Sequence, residues 1–338
     1  MTIGETKRNS YRDARVLVTG GMGFIGSNLA IALVREGAHV TVVDAQVPGC
    51  GADPDNLDEV CGQIRVSTDD MQNADRMTEL IPGQDVIFNL AGEISHIRSI
   101  TDPLRDLSLN CAAQLQFLNL CHLLNPSAAI VYASSRQVYG TPKYLPVDEE
   151  HPVNPVDFNG VHKHAAEQYH FLLRQQYHMQ TICLRLGNIY GPRQAIHQDC
   201  RGFIDSFVRA ALEGKPISVF GDGTQLRGLL YVDDVVDAFL KAGLAGSEAV
   251  RVYNIGAPEP VSLLEIAHTL SRITSSPPPL LAPFPPERLA IDIGSFHSSS
   301  EKFRREFGWA PRVALEEGLR RTIEFFQSRE KRTLDARH

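Results

Sequence analysis

The sequence predicts an α/β protein: a doubly wound parallel sheet, with a smaller mixed α/β region in the C-terminal part. Two observations predict it. Short apolar segments alternate with helical patterns through the first half, and these segments are apolar on both faces, as strands covered by helices must be. A glycine-rich turn also separates the first strand from the first helix. In chain order, 15–19 (RVLVT) reads as a buried strand, 24–35 as a helix, and 39–43, 85–90 and 128–132 as further strands. A long helical stretch begins near Pro103, with Asp102 as its N-cap. Beyond it, 161–177 reads as a helix and 181–186 as a strand. Ser262 and Glu265 form a capping box that opens another helix. The proline-rich stretch 275–286 reads as an extended connector, and 301–307 and 315–326 as closing helices. There is no internal repeat.

At about 150 residues per domain, 338 residues allow two domains or one large α/β unit. With 33 Lys and Arg against 40 Asp and Glu, the net charge is −7. That argues against a nucleic-acid partner, which needs a basic footprint, and an anionic ligand would need local arginines. No apolar run approaches the ~20 residues that span a bilayer, so no membrane association is expected. The first fifteen residues carry no apolar signal core. Cys50, Cys61, Cys111, Cys121, Cys183 and Cys200 form no CxxC pair, which fits reduced thiols and a cytoplasmic protein. The histidines are scattered, and His162 and His164 do not share a helix face, so no metal site is expected.

Gly20, Gly23, Phe24, Ile25 and Gly26 belong to the turn after the first strand. Glycines there permit a tight turn and close backbone approach to a pyrophosphate, while the helix start offers free N–H groups. No Gly-Lys-Ser/Thr follows, which excludes a nucleoside-triphosphate loop. Asp44 ends the second strand, 18 residues after Gly26. A carboxylate there accepts the adenosine-ribose hydroxyls and repels a 2′-phosphate, so the expected cofactor is NAD on a Rossmann-type sheet.

The chain from about 15 to 326 resembles the extended short-chain dehydrogenase/reductase family, the NAD-dependent nucleotide-sugar epimerases and dehydratases. The resemblance rests on eight segments in order: TGGMGFIG at 19–26, Asp70, NLAG at 89–92, YASSRQVYG at 132–140, LRLGNIYGPR at 184–193, FGDGTQLRGLLYVDD at 220–234, NIGAPEPVSLLEIA at 254–267 and FGWAPRVALEEGL at 307–319. It implies an NAD-binding part over 14–183, joined by a segment near 220–255, and a substrate-binding part over 184–326 interleaved with it. It also implies that Asp70 meets the adenine, and that Leu90, Ala91 and Gly92 border the nicotinamide end. Ser135 resembles the residue that polarises the sugar hydroxyl, and Lys163 the lysine that holds the nicotinamide ribose. Asn188, Arg193, Arg227 and Arg288 resemble residues that grip a nucleotide diphosphate, and Ser95, Arg136 and Gln137 fall beside the sugar. Relatives form homodimers through helices near 103–124 and 161–177. Ala112, Leu115, Leu118 and Leu123 fit such a face, and fit core packing equally.

Two departures matter. Four residues before Lys163 the family has a tyrosine, where this chain has Asn159. A carboxamide does not titrate near neutrality and cannot act as general base. Another group then does acid–base work, or water carries the proton, or the catalysis differs or is lost. Glu93, His96, Tyr139, Tyr144 and His162 are candidates, with Glu93 or His96 ranked first. In the family's dehydratases Asp and Glu follow the catalytic Ser/Thr, where Arg136 and Gln137 stand here. That disfavours dehydration and favours epimerisation. Arg136 either meets an anionic substituent such as a uronate carboxylate or points to solvent.

Overall fold

The computed structural model describes residues 9–197, 202–246, 252–285 and 292–335. Its strands are β1 (Arg15–Thr19), β2 (His39–Val43), β3 (Arg65–Ser67), β4 (Val86–Asn89), β5 (Ala129–Ser135), β6 (Thr181–Leu186), β7 (Asn188–Tyr190), β8 (Ser218–Phe220), β9 (Leu226–Arg227), β10 (Leu229–Tyr231), β11 (Val252–Ile255), β12 (Val261–Ser262) and β13 (Leu280–Ala282). The helices are α1 (Phe24–Arg35), α2 (Ala74–Leu80), α3 (His96–Thr101), α4 (Pro103–Leu107), α5 (Ala113–Leu124), α6 (Phe158–Tyr177), α7 (Phe203–Leu212), α8 (Val232–Gly243), α9 (Leu263–Thr274), α10 (Glu301–Phe307) and α11 (Leu315–Asp335).

Seven strands form one parallel sheet in the order β11-β6-β5-β4-β1-β2-β3. The predicted doubly wound sheet is thus present. Its inner strands are apolar on both faces: β4 and β6 are buried throughout. The strand order reverses between β1 and β4, and the crevice above their C-terminal ends is where such sheets bind ligands. Thr19 closes the bottom of that crevice, its Oγ1 accepting from the backbone N–H groups of Leu90 and Ala91 at 3.2 Å each. Helix α8 packs on α1, and β11 extends the sheet beside β6, so a late part of the chain completes the first layer structure.

The smaller region is built from β7 with β10, β9 with β12, β8 with β13, and helices α7, α9 and α11 around a separate apolar core that includes Phe207, Val219, Ile266 and Ile323. Both bonds of the expected capping box at Ser262 and Glu265 are made. The stretch 275–286 is more than a connector. Residues 280–282 pair in parallel with β8, because the prolines bracket three residues whose backbone is free to bond.

Two helices differ from their expected form. The stretch after Pro103 starts as expected on an Asp102 cap, whose side chain accepts from Arg105 N at 3.1 Å. It then passes through a π-turn at 108–112 before continuing as α5. Helix α6 starts at Phe158, earlier than the periodicity suggests, because Asp157 caps it through a 2.7 Å bond from Gly160 N. Of the cysteines, Cys50, Cys61, Cys111, Cys121 and Cys183 are free, and Cys200 lies outside the described residues. Among the described residues no helix is long and apolar enough to cross a membrane.

Candidate active site

A cavity of about 740 Å³ follows the C-terminal edge of the sheet and continues into the smaller region. Its cofactor end begins at the glycine turn. Gly20 has φ of +68°, and a Cβ there would lie 2.9 Å from Ala91 N, so only glycine lets β1 and β4 approach this closely. Gly23 caps α1 without any side-chain bond, leaving the first-turn N–H groups of this twelve-residue helix open to the cavity that Phe24, Ile25 and Gly26 also line. Asp44 lines the same wall and accepts from Met22 N and Gln46 N at 3.0 Å each. Burial raises its carboxyl pKa, against the lowering effect of the N–H groups of Gln46, Met22 and Gly23. Asp70 and Leu90 line the cavity beyond it.

At the reacting end, β5 delivers Ser135, the short 3₁₀ turn after it delivers Arg136 and Gln137, and α6 delivers Asn159 and Lys163. Ser135 Oγ accepts from Gln137 N at 3.2 Å, which fixes its rotamer and leaves its proton for a ligand. The Lys163 ammonium is buried, 3.5 Å from Ala133 O and 5.2 Å from the centre of the Tyr132 ring. Burial pushes its pKa down to about 8, opposed by Asp106, Glu93 and Glu167. Gly92 makes room for it. At φ of +154°, a Cβ on Gly92 would stand 3.1 Å from Lys163 Nζ and 2.5 Å from Asn110 Oδ1.

Asn159 is fully buried and works as a clamp. Its Nδ2 donates to Glu93 O at 2.9 Å and to Asp106 Oδ2 at 2.8 Å. Asn110 Nδ2, brought inward by the π-turn, donates to the same Glu93 carbonyl at 3.0 Å. Two amides therefore hold the loop after β4. The other carboxylate oxygen of Asp106 bonds His162 Nδ1 at 2.7 Å beneath the cavity wall. Asp106, Asn110 and Asp157 escaped sequence reasoning: the first two sit on a stretch read only as helix, and their approach depends on the π-turn.

The ranked pair Glu93 and His96 separates. The buried Glu93 carboxylate does not line the cavity. It accepts from Ile94 N and Ser95 N at 2.9 and 3.0 Å and meets Cys50 Sγ and Arg98. His96 does line the cavity. Its Nδ1 bonds Asp157 Oδ2 and its Nε2 faces the Gln137 amide. Burial disfavours a charged Asp157, yet the bonds from His96 and Gly160 N win and hold its pKa below the ordinary value. Tyr139 is no acid–base candidate. Its hydroxyl accepts from Arg185 and donates to Asn254, and burial pushes its pKa up to about 12. Tyr144 is exposed, bonds Asp148, and does not line the cavity.

Ser95 lines the cavity while its Oγ accepts from Arg98 N at the start of α3. Asn188 and Arg227 line the far end. Arg193 does not belong there, contrary to the sequence expectation. Its guanidinium is held by Asn28 Oδ1, Asn56 O and Glu59 Oε2 at 2.9, 3.1 and 2.8 Å, tying α1 to the segment after β7. Arg288 lies outside the described residues.

Residues 16–256 match the model of the NAD dependent epimerase/dehydratase family. The chain belongs to this family. Among its relatives is a UDP-glucose 4-epimerase from Mycolicibacterium smegmatis, 33% identical over 93% of this chain and 99% of that one. Similar solved structures include two 4-epimerases. One is the Thermotoga maritima UDP-glucose 4-epimerase with UDP-glucose (29% identity, TM-score 0.85, 94% of this chain and 99% of that one). The other is the Bacillus cereus UDP-glucuronic acid 4-epimerase with UDP-glucuronic acid and NAD (25% identity, TM-score 0.81, 93% and 99%). This member of the NAD-dependent family is an enzyme whose cofactor is NAD, and the open helix start, the close glycine turn and Asp44 fit that cofactor. Gly20→Ala should weaken NAD binding roughly 5–100-fold, the cost of a strained backbone plus the Ala91 overlap. Calorimetric titration of NAD into the variant checks this, and unchanged affinity would contradict the close-approach argument.

Proposed function

We propose that the protein epimerises a nucleotide-diphosphate sugar through a transient keto-sugar. The observation that carries this reading is the convergence of Ser135, Lys163 and the glycine turn on one cavity that ends at Arg227. NAD, which the glycine turn and Asp44 would hold, would supply hydride-accepting and hydride-donating chemistry at the reacting sugar carbon. Ser135 donates to the oxygen of that carbon. Lys163 provides a cation at the cofactor end. Arg227 and Asn188 hold the diphosphate, and the division into a cofactor part (14–183 with 220–255) and a substrate part (184–326) follows. The three relatives described above are all sugar-nucleotide 4-epimerases, which supports inversion at C4. Neither Arg136 nor Gln137 offers the carboxyl group that elimination needs.

Asn159 replaces the family's tyrosine, and we infer that His96 takes over the proton. Asp157 holds Nδ1–H, which leaves Nε2 as the acceptor, and the Gln137 amide occupies that lone pair until a sugar hydroxyl displaces it. Glu93 positions the loop.

Purified protein incubated with UDP-, dTDP-, GDP- and CDP-sugars in deuterated water should yield an epimer without net NADH. Stoichiometric NADH would mean net oxidation, and neither product nor exchange with any sugar would mean a binding protein. His96→Gln should lower kcat about 10²–10⁴-fold, and Glu93→Gln less than about tenfold, since its carbonyl stays clamped. The reverse ranking would reassign the base.

The rate should fall as pH rises through about 8, because the Lys163 ammonium is present below its pKa and lost above it. A pH–rate profile still flat at pH 9.5 or so would argue against a role for the cation.

The homodimer is proposed on the faces of α4, α5 and α6. Leu118 belongs to the core, but Leu115 and Leu123 are 50% and 65% exposed, beside exposed Leu104, Val161 and Leu172. Such a patch on three adjacent helices suits a second copy. A Leu115→Glu, Leu123→Glu double variant should sediment as a monomer where the wild type sediments as a dimer, and a wild-type monomer would overturn the assignment.

A further inference from the structure

Arg136 directly follows Ser135, and its side chain lines the same cavity. No hydrogen bond or ion pair among the described residues holds its guanidinium. It packs beside the ring of Phe296, with 5.1 Å from Cζ to the ring centre. The nearest opposite charge, Asp157, already serves His96 and Gly160 N. Arg227, another cation lining the cavity, is by contrast held in place. Its Nη1 donates to Leu226 O and Gly294 O at 3.0 and 2.5 Å, and Asp292 stands 3.8 Å away.

Arg136 is half-buried along the cavity wall, and a guanidinium partly removed from water without a partner is costly. The cost registers here, because burial first and Arg227 second push the Arg136 pKa down to about 10, with Asp157 opposing. A wall that keeps such a group has a use for a negative charge opposite it. We propose that Arg136 is a specificity residue that pairs with a carboxylate on the sugar, so that the substrate is the nucleotide diphosphate of an acidic sugar such as a uronic acid.

Arg136 and Arg227 lie within electrostatic reach of each other, but they come from different parts of the chain. Arg136 is one residue from the serine that faces the reacting carbon, whereas Arg227 comes from β9 in the smaller region. A guanidinium offers two parallel N–H groups, and the two oxygens of one carboxylate match them. A neutral hydroxymethyl group in that place would leave the cation unpaired. The Phe296 ring beside the guanidinium offers it a cation–π contact but no hydrogen bond, so its N–H groups keep their capacity for an anion.

The inference rests on the epimerase reading only for which end of the substrate lies beside Ser135. The test compares matched pairs, glucuronic acid against glucose, as UDP and dTDP derivatives. Wild-type kcat/KM should favour the acidic sugar by roughly 10–100-fold, the range of a charge-assisted bond. Arg136→Gln should remove that preference, mainly through KM, and Arg136→Lys should restore part of it. Arg227→Gln should depress both sugars and keep their ratio. A wild type that prefers glucose, or an Arg136→Gln variant that lowers both sugars in parallel, would overturn the proposal, the latter by assigning Arg136 to the diphosphate. Where no sugar turns over, the epimerase reading has failed by itself. Calorimetric Kd values for the same pairs still report the preference, and equal Kd values for acid and neutral sugar would sink the carboxylate assignment.

Discussion

The position of α6 depends on one buried ion pair. Glu167, on that helix, accepts from Arg185 of β6 through two bonds, Nε at 2.8 Å and Nη2 at 2.7 Å, and also from Ser134 Oγ of β5. Both charges are removed from water, and opposing their burial, the pairing keeps the Glu167 pKa down at about 2. Breaking such a pair by deleting one partner costs about 3–5 kcal/mol, because the other charge stays buried. The pair therefore specifies where α6 sits more than it adds stability. One turn away from Glu167 is Lys163, a further turn back is Asn159, and Asp157 caps the start. A shift of α6 along the sheet would displace all three at once.

That rigidity gives Asn159 its meaning. A tyrosine at this place would present a titratable phenol to the cavity. The shorter amide instead turns toward the protein, bonding Glu93 O and Asp106. The clamp is mutual: Asn110 grips the same carbonyl from the π-turn, and Asp106 is itself bonded to His162. The loop after β4 is thereby held from two helices, and His96, at the start of α3 on that loop, lies against Asp157 and Gln137. The amide at 159 and the orientation of the His96 imidazole both bear on this one loop.

The sheet and the cofactor end were readable because their signals are local. A buried strand is an apolar run, a glycine turn is a spacing, and Asp44 ends its strand in sequence as in space. The N-cap at Asp102 and the capping box at Ser262 are equally local. The reacting end was only partly readable. The residue types at 93, 96, 159 and 163 are visible in the chain, but which of them face the cavity depends on contacts across 50 or more residues, such as Asn159 with Asp106 and His96 with Asp157. Arg193 illustrates the limit from the other side. Its neighbours in sequence line the cavity, but its own φ of +69° turns the chain, and its side chain meets Asn28, Asn56 and Glu59.

Charge follows the same division between global and local. A net charge of −7 gives the whole molecule no attraction for an anion. Yet three arginines line one cavity, and the surroundings of two of them, Arg227 and Arg136, differ in a way that composition hides. Arg227 is bonded to backbone carbonyls and approached by Asp292, so its position is settled before any ligand arrives. Arg136 has a ring beside it and a like charge within electrostatic reach, so its interaction energy with an incoming anion is still to be realised. Preorganised cations hold a ligand in register, and unsatisfied ones discriminate between ligands, because leaving them unpaired is what the wrong ligand costs. The acidic surface strengthens that discrimination by keeping adventitious anions scarce, so that the charge in the cavity answers to a ligand already seated by the rest of the site.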